Sequence, residues 1–268
     1  MSDLFVIDSN MDLNYDSFLK LLELEKFLSM KAFASIDISI ESNWFNSVLC
    51  PFMTAILRKS IEKNGLNIRI GISKPSVNDI FHRNGFWGEV YDVNDTIVPL
   101  QKFNRNENEN FLAYISRHLQ SGSNKFPFSK IFSDFIKENL AELFSNCEIH
   151  SQTDRIYVGG QYFPNKHQFS FCLTDVGIGI AKHISEKISL TNMEAIQWAF
   201  QKNNTTKEDG PGGLGLKRLK KGVLENKGDL FVIANNILFD VLKNKIYENS
   251  VDFHGTSVIL SLNEGIKS

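Results

Sequence analysis

Residues 171–181 read FCLTDVGIGIA. The apolar run Phe171–Leu173 ends in Thr174-Asp175, and two glycines follow one residue apart, Gly177 and Gly179. A carboxylate at the end of a buried strand can present one hydrogen-bond acceptor at the floor of a pocket. Glycines beside it let flat or charged ligand groups approach the backbone. Taken alone, D-x-G-x-G also fits an ordinary turn after a core strand. The flanking sequence decides between the two.

Upstream, SKIFSDFIKENLAELFSNCEIH (129–150) predicts a long helix. Its apolar face is Ile131, Phe132, Phe135, Ile136, Leu140, Leu143, Phe144 and Cys147. Glu142 and Asn146 are four apart, so they share one face, where a hydrated polar edge is the commoner arrangement. In one site, Glu142 could orient or deprotonate a water. The Asn146 oxygen could ligate Mg²⁺, a hard ion that shares its coordination with substrate phosphates. Strands are expected around 155–163 and 167–174, the second delivering Asp175. Helices follow near 180–187 and 192–201, with Thr191 as the cap of the latter. His150 reads as a packing or hydrogen-bonding residue near the helix end.

Downstream, residues 202–212 (KNNTTKEDGPG) are polar and breaker-rich and read as a mobile loop. GGLGLKRLKKG (212–222) then opens a helix with Gly212, Gly213 and Gly215 at its start. Exposed N–H groups at such an N-terminus form a ready anion site, phosphate being the usual occupant. Strands near 229–234 and 256–262 close the chain around a hairpin at 236–250. In His254-Gly255-Thr256 the threonine hydroxyl can turn into the same pocket.

The first hundred residues alternate strand and helix. Ala34, Ile36, Ile38 and Ile40 alternate with Ser35, Asp37 and Ser39, as do Leu66, Ile68, Ile70 and Ile72 with their neighbours. A short strand at 3–8 and a helix at 15–30 precede them. Pro51 starts a helix that Gly65 stops. Pro75 opens another that ends near Asn84-Gly85, and a strand follows around Thr96–Val98. This predicts a small α/β layer. The polar stretch 101–126, with a helix inside it at about 109–120, reads as the boundary between the halves.

Composition excludes several classes. The 268 residues are 42% hydrophobic, enough for real cores. A net charge of −2 offers no electrostatic case for nucleic acid or an anionic membrane. No apolar run approaches the ~20 residues of a bilayer span. The acids in MSDLFVIDSNMD argue against a secretory signal, so a cytoplasmic location is expected. Cys50, Cys147 and Cys172 read as buried thiols. The six histidines show no metal-ligand spacing.

Two resemblances follow from these stretches. Residues 1–100, running into HRNGFW (82–87), resemble a STAS domain, the fold of anti-sigma-factor antagonists. In regulatory STAS domains a phosphorylatable Ser or Thr follows an Asp. Here Ser47 follows Asn46 in SNWFNSVLCPF and reads as a capping or loop serine. Residues 125–265 carry E-x-x-x-N on a helix, D-x-G-x-G after a strand, a polar loop, G-G-L-G-L opening a helix, and G-T into a strand. That order resembles the ATP-binding domain of the GHKL superfamily, shared by gyrase B, the heat-shock chaperone ATPase, histidine kinases and MutL. The resemblance implies an α/β fold, a C-terminal Bergerat-type sandwich (127–268) that binds ATP and Mg²⁺ under a movable lid (202–212). It makes Asn146 the Mg²⁺ ligand and Asp175 the acceptor for the adenine amino group. Gly177 and Gly179 shape the adenine side, Gly212, Gly213 and Gly215 the phosphate side, and Thr256 supports Asp175. Glu142 takes the place of the hydrolytic base.

The phosphoacceptor box of a histidine kinase is not found: His118 is followed by Leu119-Gln120-Ser121. The expected function is a slow, Mg²⁺-dependent ATPase acting as a signalling switch, with a protein partner on the STAS-like half. Two alternatives stay open: an anti-sigma-like serine/threonine kinase, and a non-catalytic module that ATP orders.

Overall fold

The computed structural model describes residues 2–120, 128–201 and 215–264. The period-2 alternation at 35–40 and 67–72 becomes β2 (Ser35–Ile40) and β3 (Asn67–Ile72), which flank each other in parallel. β1 (Asp3–Ile7) pairs with β2 on the other side, giving the order β1-β2-β3. Parallel neighbours need crossover helices. These are α1 (Tyr15–Ser29) and α2 (Cys50–Asn64). Asn14 caps α1, accepting from the Ser17 amide at 3.0 Å. α2 carries Pro51 in its first turn and is stopped by Gly65 at φ +63°. Right-handed crossovers between strands added in one direction put both helices on the same face. Burial agrees, since Ile36, Ile38 and Ile40 lie inside while Ser35 is exposed.

α3 (Pro75–Arg83) leads to β4 (Ile97–Phe103). This is the strand expected to end the first half, but it pairs antiparallel with β5 (Ile156–Phe163) of a second sheet. That sheet is wholly antiparallel. It continues through β6 (Gln168–Asp175), β10 (Thr256–Asn263), β7 (Asp229–Ala234), β8 (Ile237–Asp240) and β9 (Lys245–Glu248). Of the expected linker 101–126, residues 121–126 lie outside the described residues. Its polar run NRNENEN is only a turn and a helix start. α4 (Asn108–His118) then buries Phe111 and Ile115 on one face, with Leu119 just beyond it. Phe111 stacks on Phe144 of α5 (Lys130–His150), ring centroids 4.4 Å apart.

The side chains of the large sheet divide by parity. Phe169, Phe171 and Leu173 of β6, with Val258, Leu260 and Leu262 of β10, face α4, α5, α6 (Ile180–Ile188), α7 (Asn192–Ala199) and α8 (Gly215–Glu225). Cys172, Phe231, Ile233 and Ile259 face the other way, into a core shared with α1 and α2. Among the described residues the chain is therefore a mixed α/β structure of eight α-helices and two sheets in four layers. Aromatic pairs join the middle layers: Phe18 of α1 on Phe231 (4.9 Å) and Phe52 of α2 on Phe253 (4.9 Å). Lys59 of α2 forms a buried ion pair with Glu25 of α1 and donates to the Phe253 carbonyl.

Ser47 sits inside this junction. Asn46, not Ser47, caps the short 3-10 turn, accepting from the Val48 amide at 3.1 Å. Ser47 is buried and donates to Gln161 of β5 at 2.5 Å. The capping role falls to Asn46 because it precedes the turn in extended backbone, whereas Ser47 is the turn's first residue.

No helix among the described residues is long and apolar enough to cross a membrane. The shared core predicts one cooperative unit. Phe18→Ala should cost about 3–5 kcal/mol. In urea, the transition followed by tryptophan fluorescence and that followed by circular dichroism should coincide in wild type and variant. Two separate transitions would mean that the layers fold independently.

Candidate functional site

β6 is buried along nearly its whole length and ends at Asp175, whose parity with Phe171 and Leu173 turns its carboxyl toward the helical layer. Thr256 is its direct neighbour across the β6–β10 ladder. Both line a pocket with Leu143, Asn146, Cys147, Ser151, Leu173, Ile180, Leu216 and Val258. The pocket holds about 460 Å³ of space, part of it open to solvent, under mostly apolar walls. Asn146 of α5 and Leu216 of α8 reach it from the opposite side. Three of the residues singled out from sequence, Asn146, Asp175 and Thr256, thus meet in one cavity.

Asp175 Oδ1 accepts the Gly177 amide at 2.8 Å, closing a tight turn. Its Oδ2 faces the Cys147 thiol, a weak donor, at 3.7 Å. Burial pushes the Asp175 carboxyl up to about 6, against the Gly177 N–H, Cys147 and Thr256, which favour the charged form. Burial also raises the Cys147 thiol, and the Asp175 charge adds to it. The carboxylate is thus desolvated with spare acceptor capacity, and a ligand N–H donor would relieve it.

Gly179 has φ +81° and is the N-cap of α6 with no side chain to cap it. Residues from elsewhere in the chain do the capping: Thr256 Oγ1 accepts from the Ile180 amide (2.9 Å) and Asn235 Oδ1 from the Lys182 amide (3.0 Å). Gly177 passes so close to the Ser151 carbonyl that any Cβ would overlap it.

At the other end of α5's polar edge, Glu142 lies against the first residue of α8. A Cβ on Gly215 would overlap the Glu142 side chain. A carboxylate at a helix N-terminus is electrostatically favoured. Arg218 of α8 pairs with Glu138 one turn earlier on α5. Gly212, Gly213 and the loop 202–212 lie outside the described residues, as does the side chain of His150.

Among the described residues no group of three or more His, Cys, Asp and Glu could hold a metal. An ion at Asn146, with Glu142 nearby, would take most of its oxygen ligands from phosphates and water, the usual situation of Mg²⁺. Cys147 and Ser151 were missed from sequence because they fall on the apolar edge and at the end of the helix. Asn235 was missed because nothing local distinguishes Asn235-Asn236 from a hairpin turn. Comparison with protein-family models and with curated proteins finds no match to this chain.

The raised Asp175 pKa fixes a pH dependence. Folding is favoured by this group below its unfolded value of about 4, and that contribution is lost as pH rises through about 6. Asp175→Asn keeps the shape without the charge. Relative to wild type it should gain on the order of 2–3 kcal/mol more at pH 8 than at pH 4. Urea midpoints at the two pH values measure this; an equal difference at both would show that the ionised carboxylate carries no burial penalty.

Proposed function

We propose that this chain binds ATP with Mg²⁺ in the Asp175 pocket, on a Bergerat-type α/β sandwich, and hydrolyses it slowly as a nucleotide-controlled switch. The observation that carries the reading is the desolvated Asp175 carboxylate. One oxygen accepts from Gly177, the other meets only a weak thiol donor at 3.7 Å, and the residue lines the cavity that Asn146 and Thr256 share. The ordered motifs that resemble the GHKL superfamily supply the identity of the ligand.

In this reading Asp175 Oδ2 accepts the exocyclic amino group of adenine. Leu143, Ile180 and Val258 supply the apolar walls for the flat ring. The phosphates run from there toward the N-terminus of α8, where the helix dipole favours negative charge. Asn146 would hold the Mg²⁺, which when bound neutralises charge on the phosphates. Glu142 stands at the phosphate end beside Gly215. Its carboxylate would align a water and accept its proton. The N-terminal layer would carry the protein partner, on the loop after α3 where Trp87, Val90, Tyr91 and Val93 are exposed.

The test is a titration with γ-labelled ATP and Mg²⁺, following bound nucleotide, free phosphate and labelled protein. Glu142→Ala should bind ATP within about threefold of wild type and lose turnover by roughly 10²–10⁴-fold. Asp175→Asn should bind at least about tenfold more weakly, the loss of one hydrogen bond to a charged group. Wild-type affinity should also weaken as pH falls below about 6, because a protonated Asp175 is a poorer acceptor. No binding by wild type refutes the reading. Equal turnover by Glu142→Ala refutes the role of that residue, and label on protein converts hydrolysis into phosphoryl transfer to a protein hydroxyl.

A further inference from the structure

Asn235 follows directly on β7, is 1% exposed and adopts φ +55°. This left-handed backbone costs most residues energy, though Asn tolerates it better than others. Every polar group of the residue is used. Its amide donates to the Gly255 carbonyl (3.3 Å), and its carbonyl accepts from the Phe253 amide (3.1 Å). In the side chain, Oδ1 accepts from the Lys182 amide (3.0 Å). Nδ2 donates to the Ile178 carbonyl (3.0 Å) and to Asp252 Oδ1 (3.4 Å).

These bonds tie three segments together. Ile178 belongs to the glycine turn after Asp175. Lys182 is in the first turn of α6. Residues 252–255 lead straight into Thr256. Gly179 completes the lock: a Cβ there would overlap the Asn235 amide, so the two positions interlock. The Gly255 backbone in turn packs on the Asp175 carbonyl. Thr256 Oγ1 holds the Ile180 amide, and Asn235 adds the bonds that tie Ile178 and Lys182 to residues 252–255.

We propose that Asn235 is a positioning residue for the Asp175 pocket. It touches no ligand itself but holds the Asp175–Gly179 turn and Thr256 in the mutual register that presents the Asp175 oxygen. This rests on the nucleotide reading above. The effect is on affinity rather than on the chemical step, because Glu142 and the α8 N-terminus are held by α5 and are independent of this clamp.

Two variants separate the clamp from backbone strain. Asn235→Ala removes the side chain and keeps the strain. Asn235→Gly removes the side chain and relieves it. Full-length proteins are compared for ATP affinity in the presence of Mg²⁺ by calorimetry, for turnover at saturating ATP, and for amide exchange at Lys182. Both variants should bind ATP roughly tenfold more weakly while turnover at saturation stays within about threefold. The Lys182 amide should exchange at least about tenfold faster, with a cooperative thermal transition retained. Asn235→Gly that binds like wild type overturns the proposal, since strain alone would then explain Asn235→Ala. A loss confined to turnover also overturns it. Wild type that fails to bind ATP refutes the nucleotide reading instead, and is told apart because no variant is needed to see it.

Discussion

A seven-stranded antiparallel sheet whose central strands are buried on both faces needs two covering layers. Strand β6 makes the requirement plain. Phe169, Phe171 and Leu173 point one way, and Ser170, Cys172 and Thr174 the other, and all are buried. The helices α4–α8 cover the first face. The second is covered by α1 and α2, which are themselves the crossovers of the three-stranded sheet. The N-terminal layer is thus half of the core of the large sheet. Its polar groups are handled locally: the Thr174 and Ser257 hydroxyls bond to each other at 2.7 Å, with the Cys172 thiol beside them. Burial drives that thiol up to about 11, so it stays neutral.

The pocket lies at the end of this sheet because strands stop there and loops take over. The alternation that buries Phe171 and Leu173 brings the Asp175 carboxyl to the same helical face, where water is sparse. A charge held there opposes folding at neutral pH, and the local bonds from Gly177, Thr256 and Cys147 offset only part of that cost.

The two covering layers also meet near this site. Lys59 of α2 spans Glu25 and the carbonyl of Phe253, three residues before Thr256. Burial lowers the Lys59 ammonium and raises the Glu25 carboxyl, and each partner opposes the shift of the other. The segment 252–255 is therefore held from one side by the N-terminal helices and from the other by Asn235. A movement of either layer would reach Thr256 through a few backbone bonds.

Most elements were legible from local pattern. Alternation gave β2 and β3, the 3.6 period gave α5, and Pro51 with Gly65 bounded α2. The motif residues Asn146, Asp175 and Thr256 were legible because residue type, spacing and the end of a strand coincide. The membership of β4 was not, since which sheet a strand joins depends on a partner about sixty residues away, and local period is silent on it. The packing of α4 was masked by the polar run before it, which describes only its solvent side. Asn235 was invisible for a similar reason: its role consists of bonds to residues 178, 182, 252, 253 and 255, and only folding assembles that set. Periodicity and capping act over a turn or a pleat, so they are written in neighbouring residues. Sheet partners, shared cores and cross-segment clamps act through space, and they exist only once the chain has closed on itself.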